Sequence, residues 1–172
     1  SDLTRPKRVK AESSATRITV ATFSGAAVRR YASADVGEIL SRVDAGASTF
    51  IHVVHTGVAV CIRILEHFGL PQRLTEHIDG GTALELDTSS ERYVFKKFRF
   101  IEEAASAEPA TRQAQDCVLI RGSESARLRG ASGSIVVGDK FVLLFEGAAP
   151  SRVLASAVES ALDRVRQLLG RG

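Results

Sequence analysis

A chain of 172 residues, 44% hydrophobic and 25% charged, is long enough for one domain with its own core and carries the charge of an ordinary globular protein. The net charge is only +3, aromatics make up 6% with no Trp, and Lys and Arg are scattered, so the basic, aromatic-studded face of a nucleic-acid binder is missing and no nucleic-acid partner is expected. No apolar run reaches the roughly 18 residues that suggest a bilayer span, and no secretory signal is visible, which points to a soluble domain of the cytoplasmic type.

Residues 1–16 read as a flexible basic tail, with Arg5, Lys7, Arg8 and Lys10 and few apolar groups to offset the entropy of ordering them. The folded domain is expected over residues 17–172. Ile18, Val20 and Thr22 alternate with Thr19, Ala21 and Phe23 as in a strand, and residues 28–31 suit a short partner strand. Ser33 or Asp35 then caps a brief helix carrying Val36, Ile39, Leu40 and Val43. Residues 48–54 form a strand apolar on both faces apart from His52, the pattern of an interior strand in a covered sheet. Thr56 is placed to cap a helix through Phe68, with Val58, Cys61, Ile62, Leu65 and Phe68 on one stripe. Gly69 ends it, and Pro71 opens a short helix with Leu74 and Ile78 that stops at Gly80-Gly81.

A strand-like stretch at 82–87 leads to a strong strand at 93–101, followed by an acidic, Ala-rich connector at 102–115. Residues 116–121 form another strand, and 121–134 read as turns around a short edge strand. Gly138-Asp139 between two apolar runs marks a hairpin. The last helix carries Leu154, Val158, Ala161, Leu162, Val165, Leu168 and Leu169 on one stripe. This order predicts an α/β fold, a three-layer α/β/α sandwich around a mixed β-sheet. The chain contains no methionine and stops just after that helix, so a cut or processed piece of a longer protein is expected.

Chemistry is sparse. The two cysteines, Cys61 and Cys117, lie in apolar patterns and read as small buried hydrophobes. The four histidines, His52, His55, His67 and His77, form no HExxH or paired-ligand spacing, and no CxxC is present. Glu85 with Asp87 shares a strand face, and Glu76 with Asp79 lies at i, i+3 on the short helix. Either pair of carboxylates could hold a hydrated Mg²⁺ or form a solvated face. Neither a nucleophile elbow nor a phosphate loop occurs, and no enzyme activity is expected. Lys97 and Arg99 share a face with Tyr93 and Phe95, which suits edge protection or an acidic partner.

Taken in order, these motifs resemble the N-terminal cytoplasmic domain of the CorA-like magnesium and divalent-cation transporters. The likeness rests on the helix end Phe68-Gly69-Leu70, the short helix with Glu76, the strand opening at Tyr93-Val94-Phe95, the hairpin strand through Gly138 to Glu146, and Pro150 followed by a helix over 153–169. It covers roughly residues 48–170. The resemblance implies a regulatory, ion-sensing or gating domain of an Mg²⁺, Co²⁺ or Zn²⁺ transporter. The stalk and membrane domain then lie outside this chain, the full protein is a homo-oligomer (a pentamer) in the cell membrane, and this part is cytoplasmic. No cofactor is required, and a divalent cation acts as regulatory ligand. The candidate metal residues are Glu76, His77 and Asp79, His77 standing where the family has an aspartate. The family's arginine–proline–lysine linker is replaced by Gly80-Gly-Thr-Ala-Leu-Glu85. The alternative is a stand-alone α/β regulatory domain acting through protein contacts.

Overall fold

Ile18 and Val20 face one way and Thr19 and Ala21 the other along Arg17–Ser24 (β1), the two-residue period of a pleated strand. Gly25, at φ +57°, opens a two-residue turn that returns the chain as Ala27–Ser33 (β2), antiparallel to β1 with Ser24 opposite Ala27. The computed structural model describes residues 16–54, 57–79, 91–103, 117–121, 124–147 and 150–171, with backbone alone for Asp79, 117–121 and 124–127.

Among the described residues five further strands join the sheet: Ser48–Val54 (β3), Tyr93–Glu103 (β4), Cys117–Arg121 (β5), Glu124–Gly138 (β6) and Phe141–Glu146 (β7). The order is β2-β1-β3-β7-β6-β4, with β5 paired to the first part of β6. β3 and β7 are parallel and every other pairing is antiparallel, so the sheet is mixed. Tyr31, Val20, Ile51, Leu143, Val136 and Phe95 fall in one row across six strands.

That row floors the core. Three helices close over it: Val36–Ser41 (α1), Val58–His67 (α2) and Leu74–Asp79 (α3). They bring Val36, Ile39, Cys61, Ile64, Leu65 and Leu74 onto the sheet. Asp35 caps α1 by accepting from the amides of Gly37 and Glu38. α2 ends in a Schellman motif. Gly69 sits at φ +66°, its amide donates to Glu66 and that of Leu70 donates to Leu65, while Leu70 tucks into the core.

Among the described residues the opposite face carries one helix, Arg152–Leu169 (α4), tied to β2 by an ion pair of 2.5 Å between Arg30 and Glu159. α4 buries Leu162, leaves Leu154, Val158 and Leu169 half-buried, and exposes Leu168 at 58%. On the same side of the sheet Val94 and Val137 are 43% and 38% exposed. The molecule is thus an α/β sandwich of three layers, with the second helical layer made of α4. Among the described residues no helix is long and apolar enough to cross a membrane.

Several expectations change. The N-cap of α2 is Gly57, with no side-chain hydrogen bond, so the helix opens one residue later than a Thr56 cap would set it; Thr56 itself lies outside the described residues. Glu102 and Glu103 belong to β4 and are not part of a connector, because Glu102 is buried against a partner on β6. The stretch read as turns is instead the long strand β6, 15 residues, with its register fixed by β4, β5 and β7. Its glycines suit the strand: a Cβ on Gly133 would come within 2.6 Å of the Phe98 ring, which takes that space. Residues 82–87, His55 and the basic tail up to residue 15 lie outside the described residues.

Candidate functional site

Side chains two apart on a strand share a face, so Glu146 at the end of β7 lies on the side of Leu144, whose partner across the parallel pair is His52. His52 Nε2 and Glu146 Oε2 are in buried hydrogen-bonding contact. On the same face of the sheet Glu102 of β4 stands directly opposite Arg129 of β6. Arg129 donates through Nε to Glu102 Oε1 at 2.7 Å and places Nη2 2.5 Å from the same oxygen.

Ser151 joins the two pairs. Its amide donates to Glu146 Oε1 at 2.9 Å, and its hydroxyl donates to Glu102 Oε2 at 2.5 Å. The same hydroxyl oxygen accepts from the amide of Leu154 at 3.0 Å, capping α4. Arg129 Nη2 also donates to the carbonyl of Pro150 at 2.5 Å. All five side chains are buried. Burial pushes the Glu102 carboxyl up, but the Ser151 hydroxyl and Arg129 outweigh it and hold the group below the ordinary carboxylate value.

Serine, histidine and glutamate together have the composition of a nucleophile with its base. The bonding is different. A serine nucleophile needs its hydroxyl on the histidine, whereas the Ser151 proton points to Glu102 and His52 contacts Glu146. What the arrangement does is fix a helix: the first turn of α4 is bonded, directly or through one side chain, to β3, β4, β6 and β7. A buried, hydrogen-bonded charge network of this kind sets geometry more than it adds stability.

The residues singled out as metal ligands lie elsewhere, on α3. Glu76 is exposed, and His77 is half-buried with its ring 6.2 Å from that of Phe95. The two are adjacent on the helix, where neighbouring side chains do not face each other. The carbonyl of His77 accepts from Lys97 Nζ at 2.9 Å, which sets a cation beside it. Burial, and then the neighbouring Arg99, draw the Lys97 ammonium below its ordinary value. The Asp79 side chain, Glu85 and Asp87 lie outside the described residues. No group of three metal-ligating side chains occurs among the described residues. His67 is exposed and packs edge-on against Phe68 at 5.1 Å, and Cys61 is buried as expected.

The buried network was not singled out from the sequence. Its signals were there: a histidine alone in a doubly apolar strand, a glutamate closing the run Phe141-Val-Leu-Leu-Phe145, and a serine after Pro150 where a helix begins. No protein-family model matches the chain, and no curated protein is significantly similar to it.

Proposed function

We propose that the chain is the cytoplasmic regulatory domain of a CorA-like divalent-cation transporter, without catalytic activity of its own. The observation that carries this reading is the order of elements. A helix closed by Phe68-Gly69-Leu70 leads to a short helix bearing Glu76 and His77. The strand from Tyr93, the hairpin through Gly138 and a helix after Pro150 then follow in the sequence that the resemblance requires. In this reading the stalk and membrane helices belong to segments outside these residues, and the assembled protein is a homo-oligomer, a pentamer in the family, in the cell membrane.

The divalent cation, Mg²⁺ or a softer ion such as Zn²⁺ or Co²⁺, is then held between subunits. Glu76, His77 and Asp79 offer one part of a ligand set that a neighbour completes. Movement passed to the sheet reaches α4 at its first turn, where Ser151 is bonded to two buried carboxylates. The test is to sequence the parent reading frame beyond Gly172 and measure Mg²⁺ flux through the full product in vesicles. A long helix followed by two apolar spans of about 20 residues is expected. A stop codon near Gly172 would overturn the proposal.

The alternative, a stand-alone α/β regulatory domain working through protein contacts, draws support from a different observation. Val94 and Val137 stand exposed on a sheet face that α4 covers in part.

A further inference from the structure

Where α1 ends against the β1–β2 hairpin, on the core side of the sheet, there is a half-open cavity of about 500 Å³, within the size range of small-molecule sites. Thr22 and Arg29 stand opposite each other across the hairpin, with Tyr31 two residues further along β2. Ser41, Arg42 and Asp44 form the other wall. The Arg42 guanidinium lies 4.3 Å from the centre of the Tyr31 ring, and the Tyr31 hydroxyl is turned to Glu38 at 3.3 Å. One cation is therefore held in place before any ligand arrives.

Among the described residues neither Arg29 nor Arg42 has a carboxylate partner, whereas Arg30, next in sequence, is taken by Glu159 on the other face. Two uncommitted guanidinium forks in one cavity suit a doubly charged, multiply accepting group, and a phosphate monoester is that group near neutral pH. Asp44 would repel a bare anion. It accepts hydrogen bonds from hydroxyl groups, and Thr22 and Ser41 offer further hydroxyls.

We propose that this cavity binds a phosphate monoester carried on a polyhydroxylated body, its phosphate between Arg29 and Arg42 and its hydroxyls toward Asp44. The site is independent of any transport role.

Calorimetric titration of the full chain at low salt with ribose 5-phosphate, ribose and inorganic phosphate tests it. Ribose 5-phosphate is expected to bind and ribose to give no heat. Arg29→Gln should weaken binding about tenfold, as the loss of a charged hydrogen bond does, and the Arg29→Gln/Arg42→Gln pair should abolish it. Asp44→Asn should weaken ribose 5-phosphate and leave inorganic phosphate at least as tight. Both arginines are exposed, so an unchanged melting temperature checks folding. Retention on vesicles holding phosphatidylinositol 4-phosphate, lost in the double variant, without binding of free ribose 5-phosphate, would assign the same chemistry to a lipid headgroup. Equal binding of ribose, affinity unmoved in the double variant, or no binding to any of the phosphate probes would overturn the proposal.

Discussion

Replacing Arg129 with Met keeps most of the side-chain volume and removes the cation that faces Glu102 on β4. The arginine gives Glu102 contacts at 2.7 and 2.5 Å and gives the Pro150 carbonyl one more. Pro150 is exposed, so water can replace that last bond. The cost falls on Glu102, whose side chain is 3% exposed and keeps Ser151 as its donor. Breaking a buried pair from one side costs about 3–5 kcal/mol, a large fraction of the roughly 5–15 kcal/mol that stabilises a domain. Urea unfolding followed by circular dichroism at neutral pH measures it.

The dependence on pH supplies a second readout. In the native chain Glu102 is held below its unfolded value, so its contribution is present above about pH 4.3 and is lost as pH falls through the folded value. In Arg129→Met the Ser151 hydroxyl is left to oppose burial without the arginine, the carboxyl rises, and protonation relieves the unpaired charge. The deficit of the variant is therefore largest at neutral pH and narrows on acidification. Adding Glu102→Gln to Arg129→Met should recover most of the loss, because no charge is then left unpaired. A cost under about 1 kcal/mol at neutral pH, or a deficit that widens toward low pH, would refute the reasoning.

Three further outcomes are expected. Ser151→Ala removes the cap on Leu154 and the donor to Glu102, and should cost about 2–3 kcal/mol by the same unfolding assay, with Ser151→Thr recovering part. Gly69→Ala should cost about 1 kcal/mol, because the left-handed φ of +66° is strained for any residue with a Cβ, and Gly69→Asn should cost less; equal costs would argue against the backbone explanation. Micromolar Zn²⁺ or millimolar Mg²⁺ should leave the melting temperature of the isolated chain unchanged, since Glu76 and His77 are adjacent on α3, where neighbouring side chains do not face each other, and a ligand that binds the folded state raises it. A rise that His77→Ala abolishes would show a site complete within one subunit.

The parts of the fold that are legible in the sequence are those where one physical effect dominates. Alternation in β1 and the doubly apolar run of β3 each follow from burial acting on a fixed period, whereas the stripe of α4 marks the helix although only Leu162 of it is buried. Gly69 is legible because only the left-handed region ends a helix in that way. β6 is illegible because its Gly, Ser and Arg content argues for turns, whereas its strand state is set by neighbours distant in sequence: Phe98 of β4 fills the space over Gly133, and Glu102 neutralises Arg129. Glu102 is hidden for the same reason, since a glutamate after an apolar strand reads as the start of a loop, and its arginine stands 27 residues away. Such a network is a matter of register across four strands, and register is not written in any one of them.

The two faces of the sheet are held by different physics, and this bears on what α4 can do. Under α1, α2 and α3 the apolar row from Val20 to Phe95 is sealed, and position there follows from packing. α4 buries one side chain fully, Leu162, so the hydrophobic effect alone fixes it weakly. Its place is set by directed bonds, tightly at Ser151 and more loosely at the exposed pair of Arg30 and Glu159. A helix fastened by its first turn and lightly held along its length can be reoriented without opening the core beneath the other face. In the regulatory role we propose, a signal carried by α4 would enter the sheet at the bonds between Ser151, Glu146 and Glu102.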